Sequence, residues 1–110
     1  MNNLAVLLHA RGQLAEAEPL YRRALAGKEE QLGAAHPDTL TSVYNLADLL
    51  AEQGRLAEAL PLFERELEGC VALHGEAHKE TLNSADNLAR VYARAGREED
   101  AQAVRRRFHL

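Results

Sequence analysis

The sequence predicts an all-α protein built from about three stacked helix-turn-helix repeats, and three observations carry that reading. First, Asn3-Leu4-Ala5, Asn45-Leu46-Ala47 and Asn87-Leu88-Ala89 recur at a period of 42 residues. Without a gap, the same offset superposes Gly12, Gly54 and Gly96, then Ala17, Ala59 and Ala101, and the pairs Pro19/Pro61, Tyr21/Phe63, Leu25/Leu67, Gly33/Gly75, His36/His78 and Thr39/Thr81. A fixed period of this length marks a repeat architecture in which each unit buries its apolar face against the next. Second, the apolar residues within a unit fall at helical spacing: Leu40, Val43, Leu46, Ala47 and Leu50 form one stripe, and Leu56, Ala59, Leu60, Phe63 and Leu67 a second. Third, aromatic residues are few while alanine and leucine dominate, which favours close-packed helices over a sheet.

Helices are expected near residues 1–11, 14–32, 37–53, 56–73, 79–95 and 98–109, two per unit. The first begins inside its unit, which lacks a segment matching His36 to Ser42, so repeat one is N-terminally truncated. Repeats are expected at about 1–35, 36–77 and 78–110, in one array without a second domain. The second and fourth helices contain Pro19 and Pro61 early, where a missing N–H disrupts few carbonyls. Gly27 and Gly69 lie further along them, each costing about 1 kcal/mol against alanine, and mark either a bend or a close helix approach. The third helix starts at His36-Pro37-Asp38, with proline suited to the first helical position and the carboxylate to the positive end of the helix dipole. The fifth starts at His78-Lys79-Glu80, keeping the acid and losing the proline. Gly54, between the stripes, supplies the left-handed residue that ends one helix and starts the next. The sixth helix is polar, with Glu98 and Arg105 at positions occupied by Leu14/Leu56 and Tyr21/Phe63, as befits the cap of a stack.

The run from His36 to Ala47, continuing through Gln53-Gly54-Arg55 to Glu58-Ala59-Leu60-Pro61-Leu62-Phe63, resembles the 42-residue tetratricopeptide repeat of kinesin light chains. The resemblance covers nearly the whole chain. It implies an antiparallel helix pair per unit, stacked into a right-handed α-solenoid whose first helices line a concave groove. It identifies the repeat subtype, not a motor partner. Kinesin light chains usually carry an aliphatic residue where this chain has Gly27 and Gly69.

The function classes narrow quickly. A net charge of -4 gives no reason to expect nucleic acid or an acidic membrane as partner, and Arg105-Arg106-Arg107 is read as a solvated helix face. Leu4 to Leu8 is too short to span a bilayer, and Met1-Asn2-Asn3 lacks the positive region of a signal peptide. With Cys70 the only cysteine, a reducing, cytoplasmic setting is expected. Cys70 is read as a small packed side chain, because Gly69 and Val71 offer nothing to activate a thiol. His74-Gly75-Glu76-Ala77-His78 superficially resembles a zinc-protease helix, but a glycine intervenes and the segment crosses a predicted helix boundary, so it is read as a loop. His36 and His78 share a repeat position, which points to a structural contact made twice. With no phosphate loop, Cys-His cluster or nucleophile motif, no enzyme, cofactor or metal is expected.

Binding of a protein or peptide is the function expected. In the family architecture the groove is lined by Thr41, Tyr44, Asn45, Asp48 and Glu52 in repeat two, and by Asn83, Asp86, Asn87, Arg90 and Arg94 in repeat three. Their spacing independently puts them on one face, opposite the apolar stripe. Asn45 and Asn87 suit a peptide backbone, since an amide both donates and accepts. Asp48 and Glu52 occupy the repeat positions of Arg90 and Arg94, so ion pairs between neighbouring first helices are expected. The lysine–asparagine start of the chaperone-binding carboxylate clamp is replaced here by Asn2/Val6, Tyr44/Asp48 and Asp86/Arg90, which speaks against that ligand. Two alternatives remain: a self-associating scaffold stacking through the repeat ends, with Leu4, Leu7 and Leu8 short of cover, or a regulatory repeat segment of a larger protein.

Overall fold

A computed structural model describes residues 2–110, with side chains from residue 4 onward. Met1 and the side chains of Asn2 and Asn3 lie outside the described residues, and with them the Asn3 of the repeated triplet and the Asn2 of the clamp position. Six helices follow in order: α1 (Asn2–Ala10), α2 (Leu14–Leu32), α3 (Pro37–Glu52), α4 (Leu56–His74), α5 (Lys79–Arg94) and α6 (Glu98–Phe108). Each packs on the next in the chain. No strand occurs among the described residues.

The turns inside the units repeat one design. Gly54 takes φ +78°, and past it the Arg55 N–H reaches the Leu50 carbonyl at 2.9 Å. The equivalent bonds, Gln13 to Leu8 and Arg97 to Tyr92, are 2.9 and 2.8 Å. This six-to-one closure satisfies carbonyls that a helix end would otherwise orphan. Between units, the Nδ1 of His36 and of His78 accepts from the N–H of Asp38 and Glu80, at 3.1 and 3.0 Å. Both histidines are therefore helix caps, the repeated contact that their shared position implies. The buried Thr39 and Thr81 hydroxyls tie the same entries down, donating to the carbonyls of Gly33 and Cys70.

The core follows the stripes. Val43, Leu46, Leu49 and Leu50 of α3 pack with Ala59, Phe63 and Leu67 of α4, and with Ala85, Leu88 and Ala89 of α5. Ala17 and Ala59 are fully buried. The two mid-helix glycines differ: a Cβ on Gly69 would lie 2.6 Å from the Leu40 methyls, whereas one on Gly27 would meet nothing within 4 Å. Gly69 thus permits a close approach that Gly27 does not share. Helix α6 is polar but anchored, burying Ala101 and Phe108. Two of its three arginines are paired, Arg105 with Asp86 and Arg107 with Glu68 and Glu76, while Arg106 is exposed.

Candidate functional site

Helix α3 meets the first helices on either side of it, α1 through His9 and Glu52 and α5 through Arg94 and the Ala51 carbonyl. Between α3 and α5 lies a hollow of about 230 Å³, lined by Tyr44, Asp48, Asn87, Arg90 and Arg94, with Phe63 of α4 among its walls. Tyr44 meets the Phe63 ring edge-on, with centroids 6.1 Å apart. Periodicity explains the assembly: Tyr44 and Asp48, like Asn87, Arg90 and Arg94, follow one another at three- and four-residue steps along a single helix face.

Five of the ten residues assigned to the groove from sequence therefore meet in one place. Glu52 lines a separate cleft beside α1, with Val6, His9 and Leu14. Asp86 stands beside the hollow, held between Arg90 at 3.0 Å and Arg105 at 3.3 Å. Thr41 is exposed, and its hydroxyl donates to the Pro37 carbonyl. Asn45 and Asn83 are not among the residues lining the hollow.

The expected ion pairs between Asp48/Glu52 and Arg90/Arg94 are not formed. Arg94 donates instead to the Ala51 carbonyl at 3.1 Å, which also accepts the Gly54 N–H, at the end of α3 where the negative pole of the helix dipole favours a cation. Arg90 pairs within its own helix with Asp86 and is 69% exposed. Glu52 turns the other way, toward α1, and Asp48 borders both sides: His9 Nε2 lies 2.5 Å from Glu52 and 3.8 Å from Asp48. Burial, followed by the charge of Glu52, pushes the Asp48 carboxyl above its usual range, while His9 opposes that rise.

Sequence reasoning passed over His9 because its repeat equivalents are Ala51 and Ala93. A signal was available in the repeat itself. His9 meets Glu52 and Ala51 meets Arg94 at the same separation of 43 residues, one period plus one.

Other reactive groups are quiet. Cys70 is buried, and burial, reinforced by Glu66 and Glu80, pushes its thiol up to about 11, far from the thiolate a nucleophile needs. His74 ends α4 and His78 caps α5, their rings stacked 4.4 Å apart across a loop, while Glu76 pairs with Arg107. Among the described residues no helix is long and apolar enough to cross a membrane.

A sequence-family model of the tetratricopeptide repeat matches residues 1–70 and 41–106. No curated protein matches the sequence. Among solved structures, a candidate kinesin light chain of Podosopora anserina with nearly identical TPR-like repeats superposes with a TM-score of 0.83 at 28% identity, over 93% of this chain and 48% of that one. A second crystal structure of the same description gives 0.82 at 28% identity over the same shares. BtubC (BKLC) from P. vanneervenii gives 0.78 at 24% identity, over 94% of this chain and 44% of that one, which shows a shared fold. The chain spans about half the length of these structures.

Proposed function

The chain belongs to the tetratricopeptide repeat family, a non-catalytic scaffold whose repeats mediate protein–protein interaction, and on that premise we propose that the hollow between α3 and α5 holds an extended segment of a partner protein bearing acidic side chains. The observation that carries this reading is the grouping of Asn87, Arg90 and Arg94 around one hollow, with Arg90 mostly exposed. Arg90 and Arg94 supply charge complementarity and Asn87 holds the backbone, so register and sign are read together. A reducing, cytoplasmic setting belongs to the same proposal and rests on the single cysteine.

Selection from a random peptide library, with this domain as bait, tests the reading. Acidic peptides should be enriched. Arg90→Ala combined with Arg94→Ala should then weaken their capture about tenfold or more, equivalent to roughly 1.4 kcal/mol. Asn87→Ala should weaken every captured peptide, acidic or not. Affinities unchanged in all three variants would remove the concave face as the binding surface.

One observation favours self-association as a second reading. Leu4 and Leu7 are 54% and 51% exposed, although their repeat equivalents Leu46 and Leu49 are 2% and 0% exposed. An apolar stripe of this kind seeks cover. Sedimentation should show concentration-dependent association that Leu7→Asp abolishes, and a monomer at every accessible concentration would dismiss it.

A further inference from the structure

We propose that His9, Asp48 and Glu52 form a binding site for a zinc-class divalent ion, which clamps the first repeat to the second. His9 stands in the last turn of α1, while Asp48 and Glu52 lie one turn apart on the same face of α3. One ligand atom from each of the three lies within 4.8 Å of the others. Ligands around a tetrahedral zinc with bonds of about 2.0–2.1 Å sit roughly 3.4 Å apart, so the His9–Glu52 contact at 2.5 Å must open while Asp48, at 3.8 Å from His9, closes slightly. Asp48 and Glu52 have room for that, with side chains 40% and 48% exposed.

The imidazole is already aimed. Its side chain is only 15% exposed, and Nδ1 lies 3.1 Å from the Tyr21 hydroxyl. The two rings meet edge to face at 5.8 Å. The Nε2 contact with Glu52 at 2.5 Å is a hydrogen bond; a metal ion would take the place of its proton, with Nδ1 then donating to Tyr21 and the Nε2 lone pair turned to the ion between the two carboxylates. A ligating histidine is commonly oriented through its other nitrogen in this way. No arginine or lysine pairs with Asp48 or Glu52 among the described residues.

A bare histidine–carboxylate pair that merely fixes the stacking would explain the contact more simply. At the next interface the equivalent positions hold Ala51, Arg90 and Arg94, and the Arg94 bond to the Ala51 carbonyl spans it, so stacking does not require a histidine with two converging carboxylates. One nitrogen and two oxygens suit zinc and its late-transition-metal neighbours better than magnesium or calcium, which prefer oxygen alone. The cleft lined by Val6, His9, Gly12, Leu14 and Glu52 gives an entry path on the His9–Glu52 side. Binding displaces any proton on Nε2, so affinity must fall in acid.

Zinc chloride titrated into chelator-stripped protein provides the test, by calorimetry at about pH 7.5 and about pH 5.5 and by thermal melts. A single ion should bind at the higher pH and raise the melting temperature, with much weaker binding at the lower pH and no shift from magnesium. His9→Ala and Asp48→Asn should each weaken zinc tenfold or more. Glu52→Gln, a half-exposed change that keeps the fold by circular dichroism, should also weaken it, so misfolding of the other two would leave the test intact. His74→Ala with His78→Ala should leave zinc binding unchanged. The proposal falls if the wild-type protein shows no saturable zinc binding up to roughly millimolar concentration, far weaker than structural zinc sites. It falls equally if the His74/His78 variant loses the ion while the Glu52→Gln variant keeps it.

Discussion

The interface between the first and second repeats and that between the second and third place the same three repeat positions together but fill them with opposite charge. The first has His9 against Asp48 and Glu52; the second has Ala51 against Arg90 and Arg94. The apolar residues beneath are nearly the same, with Ala47 and Leu46 answered by Ala89 and Leu88, all buried. Stacking is therefore set by the alanines and leucines, and the polar face above them is free to vary. That freedom separates what the fold requires from what a partner or an ion would select.

Giving the second interface the acids of the first is the strongest way to break this comparison. Arg90→Asp with Arg94→Glu should leave the helical content and melting cooperativity intact while lowering capture of acidic peptides by about a hundredfold or more, since like-charge contacts at an interface cost several kcal/mol. Loss of the fold in this variant would mean that the arginines, and above all the Arg94 bond to the Ala51 carbonyl, hold the stack together. Retained capture would mean that the peptide lies elsewhere.

The shared part of the two interfaces can be tested by crowding. Ala17 and Ala59 are both fully buried at equivalent crossings, so Ala17→Leu and Ala59→Leu should each destabilise by about 1–3 kcal/mol in urea denaturation. Similar costs support one backbone design used twice. A melt unchanged by Ala59→Leu would contradict the register of α4 on α3.

The glycines ask a finer question, because Gly27 and Gly69 are equivalent in sequence and unlike in surroundings. Gly27→Ala should stabilise by roughly 0.5–1 kcal/mol, since the helix gains and nothing obstructs the methyl. At Gly69 the same methyl must displace the buried Leu40 side chain, so the helical gain should be cancelled or reversed. Equal stabilisation at both sites would show that Leu40 yields freely.

The extent to which this could be read from sequence follows the same division. Period and stripe placed every helix to within a residue or two, because local propensity, turn glycines and core pattern all point one way. That His36 and His78 make one structural contact twice was legible because the position recurs; that the contact is a helix cap came from the structure. The charge partners were misjudged because residues one period apart were paired, whereas the observed contacts run one period plus one. Arg94 then finds a backbone carbonyl, and Glu52 finds a histidine whose equivalents are alanines. A single residue without a repeat copy gives periodicity nothing to detect.

The smallest expected effect lies in the first interface, and its sign decides how that interface is held without metal. Burial, then the charge of Glu52, raises the Asp48 carboxyl, while His9 lowers it. A raised carboxyl favours the folded state where it is protonated, and that contribution is lost as pH rises through its folded-state value. At about pH 7, with chelator present, Asp48→Asn should therefore be slightly more stable than the wild-type protein, and the difference should shrink toward about pH 4 as the wild-type carboxyl takes up its own proton. Urea midpoints at the two pH values measure it, and because the Asp48 side chain is only half-buried the gain should be modest. A variant less stable than the wild type at neutral pH would show that attraction to His9 outweighs burial and the repulsion from Glu52. The first interface would then be held by its own ion pair, with less need of a cation from solution, and its difference from the arginine-bearing second interface would be one of sign alone.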